Sequence, residues 1–485
     1  MNVLLVVLDS VRAKNTSLHG YSRETTPFLE EFAENAKVYK QARSPGIHSI
    51  ASHVSMFTGR HVEEHRAIQH TAQIKTDSTV WAKLNENRGY ATGLFTNNRI
   101  ISSASNLDEC FETVYSPKYP AYKSLKERYP WFEEAYYPGK GDITGLQGHL
   151  RRYIQSDKKL KSSLNIGQKL YHNGVSAVDR RLGDPKSGWK SIHGGEFVAA
   201  FLDWEGQQRS PWAACINIMD AHSPYEPDND HDRWASSEDW QIQNKNKPSR
   251  RENLAGEGWG RVEKLENLYD GAIHQADTIV SELIKNLSER GRIDDTLIII
   301  TSDHGEGFGE YSQIDPRVRI RGHSWGIHEV LTHVPLLVRH PSQGSSVIDQ
   351  PVSLTDLPDL ILETAQDTLS SDPLITDRPV VTSAYRLLKE DATKYNIKNI
   401  DAFCGPWRAV YKRHDDGVRK YAQTTNREVV LHISSALDFK QIDNGSTNLV
   451  TEIFERFSDE NIQTRKTQEI DEDLEEHLQN LGYIR

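Results

Sequence analysis

Three cysteines in 485 residues, Cys110, Cys215 and Cys404, are too few and too widely spaced for a disulfide framework or a cysteine metal knuckle. Reduced, structural thiols are expected. Long apolar runs are also missing. No segment approaches the length that spans a bilayer, and the opening MNVLLVVLDS has an apolar run too short for a secretory h-region, no basic residue before it and Asp9 directly after it. A soluble, cytoplasmic protein with no transmembrane segment is the expectation. Basic charge is not in excess either: 69 acidic against 58 basic residues give a formal net charge of -11, which argues against a general nucleic-acid binder. Internal repeats and low-complexity tracts are absent.

What the chain does have is 36% hydrophobic and 26% charged residues over a length that supports a large core plus a smaller unit. Val3 to Leu8 is an all-apolar, β-branched run, the pattern of a central parallel strand buried on both faces. Tyr90 to Thr96, Trp212 to Met219, Asp295 to Asp303 and His333 to His340 read the same way. Helical periodicity lies between them, in Thr25 to Ala36 with a proline near its start and in Val262 to Gly291. This alternation predicts an α/β fold, a doubly wound and mostly parallel sheet flanked by helices. Residues 1–367 form this unit. From about residue 368 to 485 the pattern changes to short strands (RPVVTSAY, WRAVYKR, RKYAQTT, REVVLHIS) and an acidic closing helix, a smaller C-terminal α+β subdomain.

Two stretches interrupt the alternation. Arg151 to Lys190 carries ten Lys or Arg against three Asp, and reads as an inserted solvated helical face, with a cradle for an anionic substrate or peripheral contact with membrane headgroups as the alternative. Asp228 to Gly260 reads as a long polar surface loop or lid.

Three strands end in chemistry: Asp9, Asp220 with His222, and Asp303 with His304. Open α/β sheets place their sites at strand carboxyl ends. Hydrolysis of a sulfuric or phosphoric ester needs an in-line nucleophile, a cation to neutralise the non-bridging oxygens and a proton donor for the leaving alcohol. Asp9, Asp303 and His304 supply oxygen and imidazole ligands suited to a divalent ion, Mn, Ca, Mg or Zn, with one or two ions left open, and Ser49 would face the same ion.

Joined in this order, NVLLVVLDSVR, SIASHVSMFTGRH, GYATGLFTNN, NIMDAHSPYEP, DDTLIIITSDHGEGFGE and GHSWGIHEVLTHVPLLVRHP resemble the sulfatase family of the alkaline-phosphatase-like superfamily, over nearly the whole chain. The resemblance implies that Asp9, Asp303 and His304 ligate the metal and that Ser49 is the nucleophile. It implies that His222 contacts the substrate or protonates the leaving group, and that His323 stands where the family has a Lys or His against the ester oxygens. The substrate implied is a small anionic ester of a sugar, a lipid headgroup or an aryl alcohol.

The chain departs from the family's Cys/Ser-x-Pro-x-Arg signature. It reads Ser49-Ile50-Ala51-Ser52-His53, so His53 stands in the arginine's place and Ala51 in the proline's, and Ser10 stands where a second acidic ligand would be. Unmodified serine is therefore favoured over formylglycine, and the choice between sulfate and phosphate stays open. A phospho-headgroup transferase using Ser49 and a binding protein with a degraded site are the competing readings.

Overall fold

β1 (Asn2–Leu8) is buried along its whole length and runs between β5 (Trp212–Ile218) and β6 (Thr296–Thr301), parallel to both. The computed structural model describes residues 1–116, 158–159, 161–163, 192–385, 399–425, 427–443 and 448–464. With β2 (Lys37–Arg43), β3 (Ala91–Phe95), β4 (Thr113–Tyr115), β9 (Leu336–Arg339) and β10 (Ser346–Ser353), these strands form an eight-stranded sheet in the order β10-β2-β9-β6-β1-β5-β3-β4, while β7 (Phe308–Tyr311) and β8 (Arg319–Arg321) pair with each other. Every residue of β1, β5 and β6 is buried, which is why these strands are predominantly apolar on both faces rather than alternating. The α/β, mostly parallel architecture read from the sequence is the one observed.

Several local expectations need correction. His333 to His340 yields β9, but β9 pairs antiparallel with both β2 and β6. A buried strand of either direction is apolar on both faces, so composition cannot tell them apart. The long helical pattern is two helices, Trp259–Lys264 and Glu266–Glu289. Asp228 to Gly260 is not one loop. It contains helices Ser237–Lys245 and Arg250–Leu254, each opened by a reciprocal capping box, Ser236 with Asp239 and Ser249 with Glu252. The basic stretch Arg151–Lys190 lies outside the described residues apart from 158–159 and 161–163, and the acidic tail from Glu469 lies outside them entirely. Among the described residues no helix is long and apolar enough to cross a membrane, and the three cysteines are buried free thiols.

β11 (Val380–Ala384), β12 (Trp407–His414), β13 (Gly417–Gln423), β14 (Glu428–Ile433) and β15 (Phe439–Asp443) form a five-stranded antiparallel sheet in sequential order. Both sheets belong to one compact unit, Met1–Pro117 with Ile192–Ile470. The inner face of the antiparallel sheet, with Trp407, Tyr411 and Leu431, shares a buried cluster with Trp325, Ile327, Val330 and Leu331. It therefore backs the chain segment that carries His323.

A buried ion network ties that segment down. β13 alternates buried and half-buried residues, and one of its buried positions is Lys420. Lys420 Nζ lies 2.8 Å from Glu329 Oε1 and also donates to the Ile327 carbonyl, while Arg43 Nη2 lies 3.2 Å from Glu329 Oε2. Burial opposes ionisation of Glu329, but the charges of Lys420 and Arg43 outweigh it and hold the carboxyl down at about 2. Because the folded value is depressed, the stabilisation is fully present above the ordinary value of 4.5 and is lost as pH falls toward 2. Glu329→Ala leaves two buried cations without their carboxylate and is expected to cost about 3–5 kcal/mol in denaturant unfolding at neutral pH. A loss below about 1 kcal/mol, the range of an exposed pair, would show that the network contributes little.

Candidate active site

Strand register builds the centre of the site. Val7 of β1 is level with Thr301 of β6, so Asp9 and Asp303, each two residues further on, emerge side by side at the carboxyl edge. The chain must turn at once after Asp9, and Ser10 does so with φ 65°, a left-handed conformation that non-glycine residues adopt at a cost. The turn aims the Ser10 N–H at Asp303 Oδ1, 3.1 Å away, and the Ser10 hydroxyl at Asp9 Oδ1, 2.9 Å away. Tyr269 Oη clamps it, donating to the Ser10 carbonyl at 2.7 Å and accepting from the Arg12 N–H at 2.9 Å.

Arg12, fully buried, fastens the loop after β6. Its guanidinium donates to the Glu306 carbonyl at 2.8 Å, to Glu310 at 2.6 Å and to Glu266 of the long helix. In the same loop Gly305 has no room for a side chain, since a Cβ there would meet the Val330 carbonyl oxygen at 2.0 Å. The Asp303-His304-Gly305 sequence thus owes its glycine to a close backbone approach.

Ser49 is the first residue of helix α2 (Ser49–Thr58), the helix after α1 (Pro27–Ala33), and α2 ends at Gly59 in the left-handed conformation. Buried Ser44, just beyond β2, places α2 against β6: its hydroxyl lies 2.9 Å from Ser52 Oγ and 2.5 Å from the Asp303 carbonyl oxygen. Ser49 Oγ then lies 3.3 Å from Asn98 Nδ2 and 3.5 Å from His304 Nε2. The unbonded N–H groups of the first helical turn and the positive end of the helix dipole give this position a preference for anions.

Asp9, Ser49, His53, Asp303 and His304 are all fully buried. His53 Nδ1 donates to the Ser49 carbonyl at 2.9 Å and lies 3.7 Å from Asp303 Oδ2. The His323 ring lies 4.4 Å from His304 and 5.4 Å from His222, centroid to centroid, tilted against both. The structure therefore brings together the seven residues to which the resemblance or the signature gave a place in the site, Asp9, Ser49, His53, His222, Asp303, His304 and His323. Asp220 is elsewhere: its carboxylate accepts from the Gly194 N–H at 3.0 Å and from Gln275 at 2.7 Å, holding the start of helix Gly194–Glu205.

One pattern runs through the four histidines. Each presents Nδ1 to a protein acceptor: His53 to the Ser49 carbonyl, His304 to the Gly305 carbonyl at 3.0 Å, His222 to the Ser223 carbonyl at 2.8 Å and His323 to Glu306 Oε2 at 2.8 Å. An acceptor at Nδ1 keeps the proton there and leaves Nε2 as the nitrogen for a ligand, metal or transferred proton.

Asp9, Asp303 and His304 each offer one ligand atom, and the three atoms lie within 4.8 Å of one another. Burial, reinforced by the charge of Asp9, pushes Asp303 up to about 7. Burial also opposes ionisation of Asp9, but His222, His304 and His53 outweigh it and hold that carboxyl below its usual range. Asp303 Oδ2 is buried without a hydrogen-bond partner. Two anions forced together, an orphaned carboxylate oxygen and an imidazole oriented through Nδ1 form a donor set that fits a divalent cation.

Asn98, Asn217 and Glu306 were not singled out in the sequence. Asn98 Nδ2 donates to Asp9 Oδ2 at 2.9 Å as well as facing Ser49, and Asn217 Nδ2 reaches the same Asp9 oxygen at 3.3 Å. Asn217 is the penultimate residue of β5, and a polar side chain inside an otherwise apolar strand, next to the edge where Asp9 emerges, is the signal that marks it. Asn98 lies in a polar turn after β3 with no comparable pattern.

The sulfatase family model matches residues 1–367. Arylsulfatase K of Bos taurus is 29% identical over 148 residues, which is 30% of this chain and 24% of that protein. The multifunctional alkaline phosphatase superfamily protein PehA of Trinickia caryophylli is 21% identical over 350 residues, 64% of each chain. The chain thus spans less than two thirds of the length of these curated relatives. The crystal structure of phosphonate monoester hydrolase of Agrobacterium radiobacter superposes with a TM-score of 0.57 at 16% identity over 88% of both chains, a likeness of fold. The family match starts at β1 and runs through Asp9, Ser49, Asp303 and His323 to the end of helix Leu357–Gln366, and on it the chain belongs to the sulfatase family.

Proposed function

We propose that the protein is a metal-dependent hydrolase that cleaves a sulfuric or phosphoric ester by in-line attack of Ser49, acting as unmodified serine. The observation that carries this reading is the position of Ser49 Oγ, at the N-terminus of α2, between Asn98 Nδ2 and His304 Nε2 and beside a buried three-donor cluster. In this reading residues 1–367 are the catalytic part and the antiparallel sheet its support.

Asp9, Asp303 and His304 would hold a divalent ion, which would neutralise charge on the ester oxygens and acidify the Ser49 hydroxyl. The rest is the work of side chains. Asn98 orients Ser49 Oγ by donating to it, leaving the other lone pair for attack on the sulfur or phosphorus atom. His53 occupies the place of the family's arginine and, through its bond to the Ser49 carbonyl, fixes the first turn of α2 while adding an imidazole beside Asp303. His222, with Nδ1 bonded to the Ser223 carbonyl, delivers a proton from Nε2 to the oxygen of the departing alcohol when protonated on both nitrogens. His323, braced by Glu306, donates from Nε2 to a non-bridging oxygen when protonated. Ser49 Oγ gives up its proton to solvent on attack; the covalent serine ester left behind is cleared by water attacking the same sulfur or phosphorus atom, with one proton of that water passing to His222 Nε2 and Ser49 Oγ regaining a proton from solvent as it departs. A plain serine suits phosphoryl transfer, and arylsulfatase K, whose name specifies sulfate esters, keeps the sulfuric ester in view.

With Mn, Mg, Ca or Zn added, the protein is expected to cleave at least one of p-nitrophenyl sulfate, p-nitrophenyl phosphate and bis-p-nitrophenyl phosphate. Ser49→Ala should lower kcat on the order of 10³-fold or more. Wild-type activity retained in that variant would remove Ser49 from the mechanism. Peptide mass spectrometry across Ser49 in protein from the native host is expected to return the mass of serine, and a peptide lighter by two hydrogens would reveal formylglycine and overturn the unmodified nucleophile.

A further inference from the structure

Lys247 approaches the site from the polar stretch between residues 228 and 260. It lies between helices Ser237–Lys245 and Arg250–Leu254, and the backbone on either side of it is held: Arg261 donates to the Asn246 carbonyl at 2.7 Å and Arg321 to the Pro248 carbonyl at 3.1 Å. From this anchored turn the Lys247 ammonium donates to the hydroxyl of Ser223, the residue that follows His222 and whose carbonyl holds the His222 ring. No carboxylate among the described residues comes within ion-pair distance of the Lys247 ammonium.

The charges that bear on Lys247 are those of Arg321 and Glu306. Glu306 is already committed. Its Oε1 accepts from Tyr225 Oη at 2.7 Å and its Oε2 from His323 Nδ1 at 2.8 Å. Lys247 is exposed by surface area, yet crowding around its ammonium group, and after it the like charge of Arg321, push its pKa down to about 8. A lysine held on a braced turn, beside a second cation and with its nearest carboxylate bonded to other partners, is arranged to receive an anion.

Resting on the hydrolase reading above, we infer that Lys247, with Arg321 beside it, binds a second oxyanion carried on the alcohol portion of the substrate, a carboxylate or a further sulfate or phosphate. Lys247 is bonded to Ser223, the residue that follows His222 and whose carbonyl holds the His222 ring, and His222 is the group that protonates the departing alcohol in that reading. A group bound there belongs to the leaving alcohol and not to the ester undergoing cleavage. The substrate class is thus an ester that is at least doubly anionic.

The test compares two aryl esters of whichever acid the enzyme cleaves, the p-nitrophenyl ester and the same ester bearing a ring carboxylate. The readout is the ratio of their kcat/KM values, carboxylated over plain, measured on one protein sample so that the fraction folded cancels. Lys247→Met is expected to lower the ratio about tenfold, as loss of one charge-assisted hydrogen bond would, with the change in KM rather than kcat. Lys247→Glu should lower it further. Cleavage of both esters with the same ratio in wild type and variants would overturn the second-anion site and leave the hydrolase reading intact. Cleavage of neither ester by the wild-type holoenzyme would overturn the hydrolase reading and, with it, this inference.

Discussion

Two carboxylates without access to water, Asp9 and Asp303, stand side by side because the register of β1 and β6 leaves them no alternative. Like charges in a desolvated site repel strongly, and proteins tolerate the arrangement only where protons, dipoles or a cation compensate. Around this pair the molecule concentrates compensation: the Ser10 N–H and hydroxyl, the Asn98 and Asn217 amides, and the imidazoles of His53 and His304. Much of the surrounding architecture keeps these groups in place. Tyr269 clamps the left-handed turn at Ser10, Arg12 fastens the loop after β6 to the long helix, and Ser44 ties α2 to the same edge.

The antiparallel sheet takes part in the same task at one remove. Its inner face packs against the segment 318–331, and the Lys420–Glu329–Arg43 network anchors that segment to both sheets. His323 is thereby presented to His304 and His222 from a braced loop, and Glu306 fixes its ring. A site whose histidines all have Nδ1 committed is one whose protonation pattern is built into the fold before a ligand arrives.

How much of this was legible in the sequence differs by element. The central strands were, because strands buried on both faces must be apolar, and so was the clustering of Asp9, Asp303 and His304, because strand ends are where such residues converge. β2 was not, because Gln41 and Arg43 within it are polar residues buried by partners: Arg43 reaches Gln41 at 2.7 Å and Glu329 at 3.2 Å. β10 was hidden by Pro351, which an edge strand tolerates, and by its bulge. Asp220 was grouped with the site on the same strand-end logic and instead holds a helix start, since position at an edge does not say which way a carboxylate points. Asn98 and Glu306 act through contacts between residues far apart in the chain, and no local pattern announces them. Lys247 was invisible for the same reason: the two arginines that fix its turn come from positions 261 and 321.

The central claim is that the buried Asp9 and Asp303 pair, with His304, is built around a divalent cation. Thermal unfolding of wild type and Asp303→Asn, each with excess chelator and with Mn2+ at about a hundred times its Kd, tests it most directly. Wild type should gain about 2.7 kcal/mol from the ion, a rise in Tm of about 3 °C for a chain of 485 residues. Asp303→Asn should lose that rise and, relieved of the like-charge pair, unfold no lower than wild type in chelator. An Asp303→Asn protein that keeps the full Mn2+-induced shift, or a wild type that shows none, would contradict the account.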